Sequence, residues 1–367
     1  MQPVEACYIG LMSGTSLDGI DAALVTFDSQ GCHLTQTAYH PYPEDLRRDI
    51  LALHQPHANE LECSQLLANR LARLYASAVN KLLQPVDEAS KNHIVAIGCH
   101  GQTIRHRPEL GFTLQLNNPA LLAELTHTTV IADFRSRDIA AGGQGAPLVP
   151  AFHQAVFAHP SIHRVIVNIG GISNLTDLPL SGQVTGFDCG PGNLLMDAWC
   201  QRHTGQPYDL DGAWAASGHC IEALLQNLMA HPFFALPPPK STGRDTFNLA
   251  WLEQHLVPDY IPQDVQATLL ELASRSIAEA ILQYCSGAQE IYLCGGGARN
   301  TALVERLRAL LPQIRLAFTD ELGIPVDWVE ATAFAWLAKQ TMEGKAGNLP
   351  AVTGAAGPRI LGAIYPA

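Results

Sequence analysis

Apolar positions recur along the chain in two arrangements: short continuous runs and longer stretches with helical spacing. Near the start, Cys7–Met12 and residues 20–27 are strand-like runs on either side of a turn of small residues, and residues 34–42 form a third. The segment 60–83 carries leucines three and four positions apart, which predicts a long amphipathic helix. The first part of the chain therefore predicts three strands followed by a helix.

The first half continues with two further strands and a helix, and the second half then repeats the plan. Residues 94–97 and 129–132 are β-branched runs typical of buried parallel strands, with a helix predicted to begin at Pro119. The elements predicted after them are a strand at 164–169, a glycine-containing turn at 170–174, a strand at 184–187, a helix at 194–203 closed by Gly205, a long helix at 265–285, a strand at 291–294 and a helix at 301–311. We therefore predict a duplicated α/β chain. Its boundary is expected in the glycine- and proline-rich stretch 140–150, which gives domains 1–145 and 146–367.

Composition restricts the class of protein. The 367 residues are 47% apolar and 15% charged, which excludes a disordered or collagen-like chain. Twenty-two basic against 34 acidic residues give a net charge of −12, so we expect no nucleic-acid partner and no anionic membrane surface as a partner. Nine cysteines without a C-x-x-C pair, a first basic residue only at Arg47 and no long apolar run predict a soluble cytoplasmic protein.

The turn between the first two strands is the first candidate for chemistry. It contains Ser13, Gly14, Thr15, Ser16, Leu17, Asp18, Gly19, Ile20 and Asp21. Hydroxyls and glycine N–H groups suit phosphate oxygens, and Asp18 or Asp21 suits a hydrated Mg²⁺ ion. The turn is not a Walker A loop, because no G-K-[ST] follows. A hairpin turn built from ordinary turn-forming residues is the alternative.

Two further glycine turns follow strands of the second half. Gly170 and Gly171 mirror the first turn, and the two turns could grip one polyphosphate across a cleft, although a plain hairpin explains either one alone. Gly295, Gly296 and Gly297 follow a buried strand, but Asn300 stands where G-x-G-x-x-G requires its last glycine. We expect a base or ribose to lie against this bare backbone.

Polar side chains at strand ends are the remaining candidates. Asp188 precedes a Gly-Pro-Gly turn, where it can serve as a general base or as a turn cap. Arg135 lies among acidic residues, where it can hold an anion or join a structural ion-pair network. His100 and Gln102 form a polar cluster expected near the substrate, whereas no histidine spacing indicates a metal site. The loop 240–245 is expected to be a lid or a solvated turn.

Eight motifs, taken in order, resemble the anhydro-N-acetylmuramic acid kinase family. They are MSGTSLDGID (12–21), HGQT (100–103), ADFRSRD (132–138), NIGGISN (168–174), FDCGPGN (187–193), KSTGRD (240–245), CGGGARN (294–300) and VEATAFA (329–335). The resemblance covers nearly the whole chain. Its one departure is Asp245, where the family more often has glutamate.

The resemblance implies a two-domain, actin-like ATPase (ribonuclease H-like) fold with a duplicated βββαβαβα plan, a central nucleotide cleft and a last helix that can pack back on the N-terminal domain. It implies ATP- and Mg²⁺-dependent opening and O6 phosphorylation of 1,6-anhydro-N-acetylmuramic acid. The ATP loop would be Gly14 to Asp21, Asp188 would be the base that activates water, and Glu330 and Arg135 would line the sugar site, with Glu330 counted among the catalytic groups. A homodimer is expected. A kinase for another sugar and an actin- or Hsp70-like ATPase without a small acceptor remain the alternatives.

Overall fold

The computed structural model describes residues 6–14, 16–29 and 31–367. By packing, the chain divides into two compact units. One consists of the residues up to Val156 together with Trp328–Ala367, and the other is Phe157–Asp327. The sequence placed a single boundary at residue 145, whereas the packing adds the segment that begins at Trp328 to the first unit.

A mixed sheet organises the first unit. The strands of this unit are β1 (Cys7–Met12), β2 (Gly19–Asp28), β3 (Gly31–Pro41), β4 (Ile94–Cys99), β5 (Gln102–Arg107), β6 (Phe112–Leu116), β7 (Val130–Ala132) and β13 (Ala363–Tyr365). The six-stranded sheet has the order β13-β7-β4-β1-β2-β3, and β5 and β6 form a separate hairpin. Strands β1, β2 and β3 are antiparallel neighbours, whereas β1 with β4 and β4 with β7 are parallel.

The first unit also contains helices. They are α1 (Glu44–Ala52), α2 (Glu60–Leu83), α3 (Glu88–Lys91), α4 (Pro119–Thr126), α5 (Ser136–Ala140), α6 (Val149–Phe157), which crosses the unit boundary, α14 (Val329–Met342) and α15 (Pro350–Thr353), with a short 3-10 helix at Pro108–Leu110. Helix α14 packs directly on β1 and β4. A Cβ atom at Gly10 would lie 1.8 Å from the Ala331 carbonyl oxygen, and one at Gly98 would lie 2.0 Å from that of Phe334. Glycine in these two strands therefore allows the helix to approach the sheet closely.

The second unit has a five-stranded sheet. Its strands are β8 (Arg164–Ile169), β9 (Ile172–Leu178), β10 (Thr185–Pro191), β11 (Glu290–Cys294) and β12 (Arg315–Phe318). Its helices are α7 (Asn193–Thr204), α8 (Ala213–Ala216), α9 (Glu222–Met229), α10 (Pro232–Ala235), α11 (Leu249–Glu253), α12 (Pro262–Tyr284) and α13 (Thr301–Leu310), with 3-10 helices at Leu210–Gly212, Gly296–Arg299 and Thr319–Leu322. The long helix α12 is buried along most of its length and packs on β9, β10, α7 and α13.

Strand order repeats between the units. The second sheet runs β10-β9-β8-β11-β12, with antiparallel pairs among its first three strands in the chain and parallel pairs from β8 to β11 to β12. The order is therefore third-second-first-fourth-fifth in both units, once the extra edge strand β13 and the separate β5–β6 hairpin of the first are set aside. This duplicated topology is that of the actin-like, ribonuclease H-like fold, which confirms the predicted fold class.

Most predicted elements are found with small shifts at their ends. Helix α2 has the predicted bounds, and α4 begins at Pro119 because Asn118 caps it by accepting a hydrogen bond from the Leu121 amide at 3.0 Å. The predicted turn at 170–174 is wrong beyond Gly171, because Ser173 and Asn174 pair with β8 as part of strand β9. Within the described residues, no helix is both long and apolar enough to cross a membrane.

Candidate active site

The loop between β1 and β2 is short, as predicted. Leu17 adopts a left-handed φ of 58° while its side chain is only 3% exposed, and its amide donates to the Gly14 carbonyl at 3.3 Å. A buried non-glycine residue in this conformation is uncommon, so the loop conformation is enforced by its surroundings. Thr15, one of the predicted ATP-binding residues, lies outside the described residues.

Asp18 organises the second half of this loop. Its Oδ1 accepts hydrogen bonds from Ser16 Oγ at 2.7 Å and from the Gly19 amide at 3.0 Å. The side chain of Ile20 is buried in the core, and Asp21 is half-buried in β2. The described part of the chain contains no group of three or more His, Cys, Asp or Glu side chains that could bind a metal ion. Mg²⁺ bound with phosphates needs only one or two carboxylates, so Asp18 and Asp21 fit a hydrated ion.

His100 and Arg135 come together just beyond β4. The buried His100 accepts hydrogen bonds at Nε2 from the Arg135 guanidinium, at 2.9 Å from Nη2 and 3.2 Å from Nε, and its ring lies 4.8 Å from that of Phe334. Burial, and secondly the charge of Arg135, lower the pKa of His100 to about 3, so the imidazole is neutral. Its Nδ1 is buried without a hydrogen-bond partner among the described residues. Arg135 also donates to the Gly145 carbonyl at 2.8 Å, which fixes the plane of the guanidinium.

Glu330 belongs to the same group of side chains, in the first turn of α14. Burial raises the pKa of Glu330, and the charge of Arg135 acts against that rise. Burial lowers the pKa of Arg135 to about 10, with Glu330 and Asp138 opposing the shift, so the guanidinium stays charged at neutral pH. Three predicted sugar-site residues, His100, Arg135 and Glu330, therefore interact within one unit.

Asp138 is a structural residue. Its carboxylate accepts hydrogen bonds from the Gly145 amide at 2.8 Å and from Asn348 and Thr353 side chains at 2.7 Å each. A Cβ atom at Gly143 would lie 2.2 Å from Oδ2 of this carboxylate. Within the ADFRSRD motif, Asp138 therefore belongs to a structural hydrogen-bond network, whereas Arg135 contacts His100.

Gln102 begins β5, and its side chain is directed at the β1–β2 loop. It is completely buried, its Nε2 donates to the Gly14 carbonyl at 3.1 Å, and its Oε1 accepts from the Tyr42 hydroxyl at 3.3 Å. The carboxamide is therefore hydrogen-bonded within the protein at both ends.

In the second unit, Asp188 sits at a β-bulge. In the pairing of β10 with β9, Asp188 faces Asn174 and Gly190 faces Ser173, so Cys189 is the extra residue. Bulges of this kind redirect side chains next to functional sites. Gly190 has a φ of 144°, and a Cβ there would lie 2.7 Å from the Phe234 ring, so glycine is required at this bend.

The segment after Pro239 holds Asp188 in place. The Thr242 amide donates to Asp188 Oδ2 at 2.8 Å, and the Asp188 amide donates to the Lys240 carbonyl at 3.1 Å. Burial raises the pKa of Asp188 to about 6, and the Thr242 hydrogen bond and the charge of Lys240 act in the opposite direction. Asp188 is thus ionised at neutral pH, yet more basic than an exposed aspartate. The Thr242 hydroxyl is buried with no hydrogen-bond partner in the described structure.

The Gly170–Gly171 turn of the second unit hydrogen-bonds to the start of helix α7. The carbonyls of Gly170 and Gly171 accept hydrogen bonds from the Gly192, Asn193 and Leu194 amides at 2.8–3.1 Å, so they occupy the first N–H groups of α7. Three N–H groups at the start of that helix are therefore occupied within the protein.

In the Gly295–Gly297 turn, two glycines are closely packed and one has free space around it. A Cβ at Gly295 would lie 2.2 Å from Asn168 Oδ1, and one at Gly297 would lie 2.2 Å from Ile169 Cγ2, whereas one at Gly296 would meet nothing within 4 Å. Asn300, which breaks the dinucleotide-binding pattern, caps α13 by accepting from the Leu303 amide at 3.1 Å.

Comparison with known proteins identifies the family to which the chain belongs. The sequence profile of the family described as anhydro-N-acetylmuramic acid kinase matches residues 6–367. The chain belongs to this family. Proteins of that name from Nitrosospira multiformis and Pseudomonas putida are 60% and 55% identical to it, with 99% of the chain covered in each case and 99% and 100% of those proteins. The predicted resemblance and the predicted enzyme class, a sugar kinase, are confirmed.

A solved structure of low sequence similarity also aligns with the chain. It is (R)-2-hydroxyglutaryl-CoA dehydratase component A of Acidaminococcus fermentans, which is 11% identical with a TM-score of 0.47, over 90% of this chain and 96% of that one.

Sequence reasoning missed the residues that support the candidate site. The KSTGRD motif was recognised, but its pairing with Asp188 through the Thr242 amide leaves no trace in sequence spacing. Tyr42 and Tyr75, which hydrogen-bond to Asp18 and Ser13 at the two ends of the β1–β2 loop, look in the sequence like ordinary core aromatics. Only their hydroxyl groups distinguish them, since a buried tyrosine hydroxyl needs a partner.

Proposed function

We propose that this chain is an ATP-dependent kinase that hydrolytically opens the 1,6-anhydro ring of 1,6-anhydro-N-acetylmuramic acid and phosphorylates O6. The products are N-acetylmuramate 6-phosphate and ADP, a step of cell-wall peptidoglycan recycling. The observation that carries the proposal is the 60% identity to a named anhydro-N-acetylmuramic acid kinase over 99% of both chains. The arrangement around Asp188 supports it.

Asp188 is the general base in this proposal. The Thr242 amide occupies Oδ2, which leaves Oδ1 to accept a proton from water. A carboxylate with a pKa of about 6 is largely ionised at neutral pH and is a better proton acceptor than an ordinary aspartate. Hydrogen bonding at one oxygen and burial together give the base a fixed direction and a useful basicity.

The reaction balances without a separate general acid. Water loses a proton to Asp188 as its oxygen forms a bond to the anomeric carbon, and the bond from that carbon to O6 breaks. O6 forms a bond to the γ-phosphorus as the bond from that phosphorus to the bridging oxygen of ADP breaks. The phosphoryl group thus takes the place of the proton that a leaving oxygen otherwise needs. The task of the protein is mainly positioning and charge stabilisation.

We assign the remaining residues as the family motifs imply. In the first unit, Gly14 to Asp21 bind ATP phosphates, and Asp21 would help to hold the Mg²⁺ ion that accompanies the nucleotide. In the second unit, Gly170, Gly171 and Gly295 to Gly297 contact ATP. When bound, Mg²⁺ would neutralise negative charge on the transferred phosphoryl group.

We assign the sugar to the first unit's charged cluster. Arg135, held by His100 and Gly145, presents a fixed planar cation that suits the lactyl carboxylate of the sugar. The positive charge of Arg135 also acts on Glu330, whose pKa it lowers against the effect of burial. We further propose a homodimer, and a cytoplasmic location that agrees with nine cysteines outside any disulfide.

The direct test measures ADP release with and without anhydro-N-acetylmuramic acid. We expect release only in the presence of the sugar. We expect Asp188→Asn to abolish turnover while an ATP analogue still binds, because the amide is not a base. Asp259→Asn, at an exposed loop position, is the matched control and keeps full activity. Equal ADP release without sugar would contradict the kinase proposal.

A further inference from the structure

The β1–β2 loop is held at its first end by two buried side chains from other parts of the first unit. Gln102 Nε2 donates to the Gly14 carbonyl at 3.1 Å. Ser13 Oγ donates to the Gly101 carbonyl at 3.1 Å and shares a 2.7 Å hydrogen bond with the Tyr75 hydroxyl. Ser13 is only 1% exposed, so its hydroxyl, although part of the SGTS motif, faces the interior.

The second end of the loop is held as well. The Asp18 carbonyl accepts hydrogen bonds from the Tyr42 amide and from the Tyr39 hydroxyl, both at 2.9 Å. The Tyr42 hydroxyl in turn donates to Gln102 Oε1 at 3.3 Å. Gln102 therefore connects the Gly14 end of the loop to the tyrosine that holds its Asp18 end.

Burial separates Gln102 from any ligand. Its side chain has no exposed surface, whereas its neighbours in the cluster expected to bind the sugar, Arg135 and Glu330, are partly exposed. A ligand could reach the Gln102 carboxamide only by displacing protein atoms. Since both ends of the carboxamide already pair with buried groups, such displacement would leave those groups unsatisfied.

We propose that Gln102 is a positioning residue for the ATP phosphate loop and does not contact the sugar, with Tyr42 and Tyr75 as its partners in the same buried network. The inference rests on the proposed ATP role of Gly14 to Asp21. Phosphate binding by backbone N–H groups depends on their fixed directions, so a loop that loses its anchor binds the nucleotide less tightly.

The test compares Gln102→Met with Gln115→Met. Methionine retains the length of glutamine and removes its hydrogen bonds. Gln115 lies on the neighbouring strand β6, and among the described residues its side chain hydrogen-bonds to the Thr103 and Thr113 hydroxyls, so its replacement perturbs the same hairpin without removing a contact to the loop. We expect Gln102→Met to raise the KM for ATP by about tenfold, as the loss of its hydrogen bond to the Gly14 carbonyl of the loop implies, with the KM for the sugar unchanged. Gln115→Met should change neither value.

A binding measurement separates this inference from the proposed function. The dissociation constant of a non-hydrolysable ATP analogue, measured without sugar, should rise in Gln102→Met by the same factor as KM. Tyr42→Phe, which removes only the hydroxyl that donates to Gln102 Oε1, should shift it in the same direction and decides the matter if Gln102→Met does not fold. A raised KM for the sugar alone, or unchanged analogue binding in both variants, would overturn the inference. Absence of sugar-dependent turnover in the unmodified protein would refute the kinase proposal without affecting the binding result.

Discussion

Lys240 tunes the proposed base, and its removal should leave a signature in the pH profile. The Lys240 ammonium lies 4.8 Å from the centre of the Phe233 ring and within 3.4 Å of two backbone carbonyl oxygens, so its position is fixed. Its positive charge lowers the pKa of Asp188, against the larger effect of burial. Lys240→Met retains the apolar part of the side chain and removes this charge. The pKa of Asp188 must then rise.

The size of the effect follows from the ionised fraction of Asp188. With a pKa of about 6, roughly nine-tenths of Asp188 is ionised at pH 7 in the unmodified protein. Loss of a neighbouring positive charge raises a partly buried carboxyl pKa by about one unit. The base form is the active one, so activity is lost as pH falls through the pKa. The variant should therefore lose roughly fivefold in kcat/KM at about pH 6, twofold at about pH 7 and almost nothing at about pH 8.

The assay is kcat/KM for the sugar at saturating ATP across this pH range. Titration of ATP itself affects the unmodified protein and the variant equally, so their ratio isolates Asp188. Lys339→Met is the matched control, since Lys339 also lies over a phenyl ring, at 5.5 Å from that of Phe27, but pairs with Glu343. A loss that is the same at every pH, or an acid limb that does not move, would refute the assignment of Asp188 as the titrating base.

The other predictions concern packing and the sugar site. Gly295→Ala should lower the melting temperature markedly, because the new Cβ would lie 2.2 Å from a side-chain oxygen on β8 and the residue has a φ of 78°. Gly296→Ala should fold normally and raise the KM for ATP. Equal melting temperatures for the two variants would contradict this prediction. Thr353→Val removes a 2.7 Å hydrogen bond to the buried Asp138 and should cost about 1–3 kcal/mol in urea unfolding, and an unchanged midpoint would argue against it. Arg135→Lys should raise the KM for the sugar about tenfold or more while the KM for ATP stays constant, because lysine cannot reproduce the planar contacts; a rise in the KM for ATP instead would place Arg135 elsewhere.

The fold could be predicted because its signals are local. Continuous apolar runs mark the buried strands β4, β8 and β11, and leucine spacing marks α2 with its bounds. Strand β9 was missed in part, since Ser173 and Asn174 are turn-forming residues by propensity. Their pairing with β8, which only the tertiary structure supplies, overrides that preference.

The candidate site was predictable only as far as its residues lie in compact motifs. Asp188 and the β1–β2 loop are such cases. The partners that adjust them come from distant sequence positions: Thr242 lies 54 residues after Asp188, and Gln102 lies 88 residues after Gly14. A glutamine in a polar motif looks the same in the sequence whether its side chain faces a ligand or the interior, so only burial in the structure distinguishes the two roles.

The central claim is that one active site couples ring opening to phosphorylation of O6. It is tested most directly by mass spectrometry of the product formed in ¹⁸O-labelled water, read at early times before the free sugar exchanges oxygen with solvent. We predict a product heavier than the substrate by one phosphoryl group and one water, with a single ¹⁸O at the anomeric carbon and none in the phosphate. A product that gains the phosphoryl group without water and ¹⁸O would contradict the coupled mechanism and leave a simple sugar kinase.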